Sequence, residues 1–162
     1  MQHFFKSAAI VSAVSTITLA CSLLSANPAQ AKPKGMPEGY IGAGVGFNDS
    51  GAAAGLNGRI SFPKTKVSVR GSLYADCASD VCAALFIPTV TYDIPLANNS
   101  NLYVGGGIAT ASISDGVTSL SGTAGALQVG AETGIGKKVV FYGDGTFFNG
   151  VSLWKAGLGY RF

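Results

Sequence analysis

The charged side chains in the alternating stretches of this chain are the residues with which it could do chemistry. Two are carboxylates and four are cations: Glu132, Asp144, Arg59, Arg70, Lys155 and Arg161. Each lies on the polar side of a stretch in which apolar and polar residues alternate, so we expect them to share one enclosed face. Since an unpaired buried charge is strongly destabilising, they should form an ion-pair network. Such a network is either structural, or it sets the resistance and selectivity of a narrow pore.

Catalytic chemistry is not expected from this sequence. Its only histidine is His3, so serines such as Ser112 and Ser114 have no general base of the usual kind. The motif G-x-S-x-G does not occur. The runs G-A-G-V-G and V-G-G-G-I lie within predicted strands and no helix follows them, which is typical of packing glycines rather than of a nucleotide-binding loop. We therefore predict neither an enzyme nor a bound cofactor.

Two of the three cysteines lie close together. Cys77 and Cys82 fall in D-C-A-S-D-V-C between strand-like runs. An exported protein meets an oxidising compartment, so a disulfide that closes this short loop is expected. A metal site is the alternative, but two sulfur ligands with no histidine nearby make a poor one. The sequence therefore predicts a disulfide and no metal.

The first residues have the pattern of an export signal. Lys6 gives a short basic start, an apolar run follows it, and Ala29-Gln30-Ala31 is an A-x-A cleavage site. We predict a signal peptide over residues 1–31, followed by a flexible linker rich in Pro and Lys over residues 32–38. A lipid-accepting Cys21 is an open alternative, whereas the apolar run is too short for a membrane-spanning helix.

The composition points to an all-β protein. The chain has 23 glycines among 162 residues, 12% charged residues and a net charge of +3, and no stretch after residue 31 has a helical period. A charge this weak, with no basic run beyond Lys137-Lys138, is not typical of a nucleic-acid binder. Residues 39–162 have the size of one small domain.

Eight stretches have the alternation of β-strands and are separated by short turns. They are residues 39–48, 52–62, 66–75, 83–92, 102–111, 120–133, 138–147 and 151–162. Residues 93–101 are predicted to be a long polar turn, and Pro88 predicts an edge or a bulge in the fourth strand. The first strand has mostly glycine on one face, which leaves room inside a narrow barrel for long side chains from its neighbours. Because an open meander would expose two edges, we predict a closed, antiparallel, up-and-down barrel of eight strands.

The apolar face could line the inside of a soluble barrel or the outside of a membrane barrel. Three features favour the membrane barrel. The polar faces carry little charge for a solvated surface. Aromatic residues lie at strand ends on the apolar face: Phe47, Phe62, Phe147, Trp154, Tyr160 and Phe162. The turns are polarised, with lysines at one end and aspartates at the other: Lys64, Lys66, Lys137 and Lys138 against Asp49, Asp76, Asp80 and Asp115.

The last stretch carries a resemblance to a known family. Residues 151–162 read V-S-L-W-K-A-G-L-G-Y-R-F and finish on an aromatic ring, which resembles the closing strand of bacterial outer-membrane barrels. With the signal peptide and the eight strands, the chain resembles the small barrels of the opacity-protein and outer-membrane protein A type, often grouped as porin-family proteins. The external loops are short, a departure that speaks against an adhesin role.

This resemblance implies an outer-membrane protein with a structural or weakly conducting, porin-like role and a charged, mostly filled lumen. It implies outer-membrane lipid and, through the C-terminal strand, the barrel assembly machinery as partners. The lysine-rich end would face the periplasm, and a monomer that binds no nucleic acid is expected. The alternative is a soluble secreted barrel that binds a small apolar ligand in an apolar interior.

Overall fold

A computed structural model of the chain describes residues 34–62, 65–78, 81–115 and 117–162. The predicted signal peptide, Cys21 and residues 32–33 lie outside these ranges, as do Lys64 and Asp80. Residues Lys34–Phe162 form one compact unit. No helix in the described ranges is long and apolar enough to cross a membrane.

The unit is a closed barrel of eight antiparallel strands, as predicted. Each strand pairs with the next along the chain, and the last pairs with the first. The strands are β1 (Tyr40–Asn48), β2 (Gly51–Ser61), β3 (Val67–Ala78), β4 (Val81–Ala97), β5 (Ser100–Ser114), β6 (Ser119–Ile135), β7 (Val139–Phe148) and β8 (Val151–Arg161). Phe47 lies opposite Trp154 and Tyr40 opposite Arg161 where β8 closes on β1.

The turns of the barrel fall into two sets, which we name by their charges. The lysine end carries the turns with Lys66, Lys137 and Lys138, together with the start of β1 and the end of β8. The aspartate end carries the turns with Asp49 and Asp115. The β7–β8 turn at the aspartate end is Asn149-Gly150, and both residues have positive φ, 46° and 78°, as a tight hairpin turn requires.

Two predictions about β4 are wrong. Residues 93–97 continue the strand instead of forming a long polar turn, and only Asn98 and Asn99 separate β4 from β5. Asp93 pairs with Tyr103 in the ladder, and its carboxylate is buried among cations that satisfy it. Pro88 marks neither an edge nor a shift of register. It pairs with Gly71 on β3, and the β4–β5 pairing is interrupted at Ile87 and Pro88 but resumes in the same register at Thr89. The irregularity in the register lies at Pro95 and Ala97 instead.

The polar face of each strand points inward, except at the aspartate ends of β5 and β6, where hydroxylic residues lie on the outer face. Buried polar side chains inside the barrel include Asn57, Arg59, Ser68, Arg70, Ser72, Thr89, Thr91, Asp93, Asn101, Gln128, Glu132, Asp144, Thr146, Lys155 and Arg161. The large apolar side chains of the alternate positions, such as Ile41, Leu56 and Leu158, are exposed on the outside. This orientation is the one predicted for a membrane barrel and the reverse of a soluble barrel with an apolar interior.

The segment before β1 closes the lysine end of the barrel. Met36 is only 2% exposed and packs with Tyr40, Val140 and Tyr142. Its backbone N–H donates to Asn101 Oδ1 at 3.1 Å, and its carbonyl accepts from Asn101 Nδ2 at 3.1 Å. Burial of one apolar side chain and a paired backbone therefore hold residues 34–38, the described part of the predicted linker, against the lysine end.

Candidate functional site

Four charged residues form a closed ring inside the lumen near the lysine end. Asp93 contacts Arg59 at 2.7 Å and Arg70 at 3.0 Å. Glu132 contacts Arg70 at 2.8 Å and Arg59 at 3.3 Å. Each carboxylate thus lies between both guanidinium groups, and all four side chains are buried. We call Arg59, Arg70, Asp93 and Glu132 the lumen quartet.

Asp93 was not among the residues predicted to form the network. The signal was present in the sequence, since Thr89, Thr91 and Asp93 are two residues apart and share the inner face of β4. The nearby Pro95 and the asparagines that follow it favoured a turn. Asp93 supplies the second negative charge of the lumen quartet, which balances the two arginines.

Neutral polar groups satisfy much of the hydrogen-bonding capacity that the lumen quartet leaves free. Ser68 Oγ donates to Asp93 Oδ2 at 2.8 Å, and Asn101 Nδ2 donates to Glu132 Oε1 at 2.9 Å. Arg70 Nε donates to Thr91 Oγ1 at 3.0 Å. A buried ion pair is stable only when such additional hydrogen bonds are present, so these side chains position the four charged groups.

A second ion pair lies deeper in the lumen, toward the aspartate end. Lys155 Nζ is 2.8 Å from Asp144 Oδ1, and the same carboxylate accepts hydrogen bonds from Gln128 Nε2 at 3.1 Å and Tyr103 Oη at 3.0 Å. The Arg70 guanidinium carbon lies 3.4 Å from the centroid of the Tyr103 ring. Tyr103 therefore contacts both clusters: its ring face stacks on Arg70 of the lumen quartet, and its hydroxyl donates to Asp144 of the second pair.

Arg161 does not join the predicted network. It lies at the lysine end, where Nη2 donates to the Gly136 carbonyl and Nη1 donates to Asn99 Oδ1 at 3.3 Å. Its carboxylate neighbour is Glu38 at 3.5 Å, which is 46% exposed. The six residues predicted as one network thus occupy three places along the lumen: the quartet, the Lys155–Asp144 pair and the Arg161 contacts.

Tyrosine rings fill most of the remaining lumen. Four of them lie against glycines of neighbouring strands: Tyr40 on Gly159, Tyr74 on Gly55, Tyr103 on Gly130 and Tyr142 on Gly157. A Cβ at Gly157 would overlap both Tyr142 Oη and the Ala43 carbonyl oxygen. The glycine-rich inner faces therefore make room for aromatic rings of neighbouring strands, where long polar side chains had been expected.

Little space is left between these side chains. A cavity of about 10 Å³ lies between Tyr40, Arg70, Tyr142 and Asp144, which is roughly the volume that one water molecule needs. The Tyr40 and Tyr142 rings, from the two strands that flank β8, stack inside the lumen with their centroids 5.5 Å apart. The arrangement can hold charges in place.

The two cysteines form the predicted disulfide. Cys77 and Cys82 are bonded and lie opposite each other where β3 and β4 meet at the aspartate end. Both side chains are on the exposed surface of this hairpin. In the described part of the chain, no group of three or more histidine, cysteine or carboxylate side chains is placed to hold a metal ion.

The six aromatic residues predicted for the membrane interfaces are all exposed on the outer surface, in two sets. Phe47, Phe147 and Trp154 lie toward the aspartate end, where the Phe147 and Trp154 rings pack edge to face with centroids 5.9 Å apart. Phe62, Tyr160 and Phe162 lie at the lysine end. Tyr92 joins the second set, although its stretch gave no clear orientation in the sequence, and Lys66 lies 5.9 Å from its ring centroid.

Comparison with solved structures places this architecture among known barrels. The N-terminal β-barrel domain of Pseudomonas aeruginosa OprF is similar with a TM-score of 0.59 and 17% identity, over 78% of this chain and 98% of that chain. The chain has the fold of a small outer-membrane β-barrel. A de novo designed transmembrane β-barrel gives a TM-score of 0.57 at 12% identity, over 82% of this chain and 100% of that chain.

The attachment invasion locus protein Ail of Yersinia pestis is similar with a TM-score of 0.50 and 20% identity, over 78% of this chain and 99% of that chain. No protein-family model matches the sequence, and no curated protein matches it significantly. The predicted resemblance to opacity-type and outer-membrane protein A-like barrels is confirmed for the fold, and at these identities the likeness extends to the fold alone.

Proposed function

We propose that the chain is a structural protein of the bacterial outer membrane whose barrel is closed to solutes by its own lumen side chains. The observation that carries this proposal is the lumen quartet, in which Asp93 and Glu132 each contact both Arg59 and Arg70 inside the barrel. Tyr103 and the Lys155–Asp144 pair fill the next level of the lumen. A narrow porin-like pore would need a path past both levels.

The outer surface supports residence in a bilayer. Its middle is a belt of exposed aliphatic side chains such as Val45, Ile108 and Leu158, and aromatic residues flank this belt at both ends, as in membrane barrels. At the lysine end, Lys138 Nζ donates to Tyr160 Oη at 2.6 Å, an arrangement suited to the level of lipid headgroups. Outer-membrane lipid is therefore the partner that this surface fits.

Export and assembly follow from the same proposal. Residues 1–31 would act as the signal peptide, and β8, with the exposed ring of Phe162 after it, would be read by the barrel assembly machinery. The lysine end would face the periplasm. We expect a monomer because each strand pairs with both of its neighbours around the closed barrel, although residues 119–125 of β6 extend beyond its pairing with β7.

A matched pair of arginine substitutions tests the membrane proposal. Leu158 is 56% exposed in the middle of the belt, so Leu158→Arg should destabilise the bilayer-inserted barrel by about 2–4 kcal/mol. Ser121 lies on the outer face of β6 beyond the belt, and Ser121→Arg should cost much less. Urea unfolding of the barrel in lipid vesicles, followed by the mobility shift between unboiled and boiled samples, measures both.

A soluble ligand-binding barrel would give a different result. The wild-type protein would then be recovered without detergent from the periplasmic fraction, and Leu158→Arg would place a charge in water at little cost. Recovery only with detergent from the outer-membrane fraction, together with the large cost of Leu158→Arg, supports the proposal.

A further inference from the structure

A cavity of about 400 Å³ opens at the aspartate end of the barrel, on the far side of the ion pairs. We call it the cup. The inward-facing Ala53, Ala83 and Ala111 form part of its wall, and Tyr74, Leu85, Phe148 and Leu153 form its deeper part. The volume lies within the range of small-molecule sites, roughly 300–1,000 Å³.

A cluster of buried apolar residues forms the floor of the cup and separates it from the charged lumen. It consists of Tyr74, Ile87, Ala109, Ala126 and Leu153. The Tyr74 hydroxyl points away from the cup and donates a hydrogen bond to Asn57 Oδ1 at 3.2 Å. The cup therefore presents apolar groups to its contents, and the Lys155–Asp144 pair and the lumen quartet lie on the other side of this floor.

The hairpin of β5 and β6 reverses the polarity of the rest of the barrel at this level. On its outer face the residues beyond the belt are hydroxylic: Thr110, Ser112, Ser114, Ser119, Ser121 and Thr123. On its inner face, Ile113 lines the cup, and Leu120 pairs with it on the same face of the hairpin. A polar outside around an apolar inside is the pattern of a ligand-binding barrel in water.

The charge around the opening has one sign. Asp76 lines the cup, and Asp49 and Asp115 lie in the turns beside it. Within the described ranges no lysine or arginine lies at this end, since the cations are inside the lumen or at the lysine end. A cleft lined by negative charges attracts positively charged ligands.

We propose that the cup binds a small amphipathic molecule with an apolar body and a positively charged end. The apolar body would contact Leu85 and Leu153, and the cationic end would lie beside Asp76 at the rim. An apolar body of roughly two to three benzene rings fits, since a cavity of about 150 Å³ holds one benzene. This function goes beyond the structural role and does not require the lumen to conduct.

The test uses n-octyltrimethylammonium as the probe and the intact barrel in lipid nanodiscs, with methyl NMR as the readout. Binding in the cup should shift the methyl signals of Leu85 and Leu153 saturably, while those of Leu56 and Leu158 in the belt stay fixed. Asp76→Asn should weaken binding by about threefold, whereas Asp49→Asn, in the neighbouring turn, should have little effect. The anionic probe n-octyl sulfate should bind more weakly than the cation.

Filling the cup should abolish binding. Ala111→Trp adds a ring on the inner face of β5 and should lower affinity by about tenfold or more, with Ser121→Trp on the outer face of β6 as the matched control. If Ala111→Trp fails to show the mobility shift of a folded barrel, Ala83→Trp on the neighbouring strand β4 replaces it. Shifts confined to the belt methyls, equal binding of the anionic probe, or unchanged binding after the cup is filled would each overturn the proposal.

Discussion

Arg59 and Arg70 lie directly opposite each other in the β2–β3 ladder, and both point into the lumen. Like charges directly opposite one another destabilise a sheet. Here Asp93 and Glu132 come from β4 and β6 to lie between them. The lumen quartet therefore alternates in sign, and each carboxylate is needed to keep the two arginines together.

Removing one carboxylate of the quartet should destabilise the barrel. Glu132→Gln keeps the size of the side chain but leaves two buried arginines with Asp93 alone, so we expect a loss of about 3–5 kcal/mol in the free energy of unfolding. Urea titration of the barrel in vesicles measures this loss. Glu38→Gln is the control, because Glu38 is partly exposed at 3.5 Å from Arg161 and such a pair contributes at most about 1 kcal/mol. Equal effects of the two changes would contradict the assignment of the quartet as the main ion-pair cluster.

The close packing of Tyr142 on Gly157 predicts that a larger residue at position 157 destabilises the barrel. Gly157→Ala would push a methyl group into the Tyr142 hydroxyl and the Ala43 carbonyl, so the ring or the β1–β8 ladder must shift. We expect a destabilisation of about 1–3 kcal/mol, as for other overpacked sites. Gly71→Ala is matched to it, since no heavy atom lies within 4 Å of the added methyl at that position, and its stability should be close to that of the wild type. A neutral Gly157→Ala would show that the lumen is less tightly filled than described.

Asn101 should control the segment that closes the lysine end. Asn101→Ala removes both hydrogen bonds to the Met36 backbone, so amide hydrogen exchange at Met36 should accelerate by about tenfold or more, while exchange in β1 stays slow. Asn98→Ala removes an exposed contact to the Lys34 amide at 3.3 Å and should change this exchange far less. Equal acceleration by both variants would mean that the segment is held by the turn rather than by Asn101.

Asp115 should make the β5–β6 turn sensitive to acid. Its Oδ1 accepts hydrogen bonds from the backbone N–H groups of Thr118 at 2.6 Å and Val117 at 3.0 Å, and these bonds lower the pKa of Asp115 below its usual value. The stabilisation is fully present above the ordinary aspartate pKa of about 3.9, and it is lost as the pH falls through the lowered pKa. The loss of these hydrogen bonds can be followed by the chemical shifts of the Val117 and Thr118 amides, or by their hydrogen exchange, between neutral pH and about pH 2.

The variant Asp115→Asn separates this effect from general acid unfolding. Asparagine keeps an acceptor oxygen but does not titrate, so the pH dependence of the turn should disappear while the barrel stays folded. Persistence of the same acid transition in Asp115→Asn would assign it to another group.

Most of the predictions that the sequence allowed rest on the alternation of apolar and polar side chains along each strand. Because side chains alternate between two faces, the inward positions of Arg59, Glu132 and Lys155 follow from their place in each stretch. Alternation gives the face of a residue but not its height in the barrel, which depends on the strand register. For that reason Arg161 was grouped with residues that lie further along the lumen.

Two parts of the site depend on contacts that no local pattern encodes. Met36 lies in a segment whose Pro and Lys content is typical of a linker, and only its burial against Tyr142 and its pairing with Asn101 order it. The cup depends on residues of facing strands, such as Leu85 and Leu153. The sequence did not predict this apolar lining, because the inner faces of the strands were expected to be polar along their whole length.

Ion conductance of the purified wild-type barrel in planar lipid bilayers tests the closed lumen most directly. The lumen quartet and the Tyr103 ring lie across the lumen, on the aspartate-end side of the Met36 segment. Insertion of folded protein should therefore give no conductance steps above the lipid baseline. The amount of inserted protein is checked by the heat-dependent mobility shift of the same sample. Reproducible open-channel steps from the folded wild-type barrel would contradict the account and identify the protein as a narrow pore.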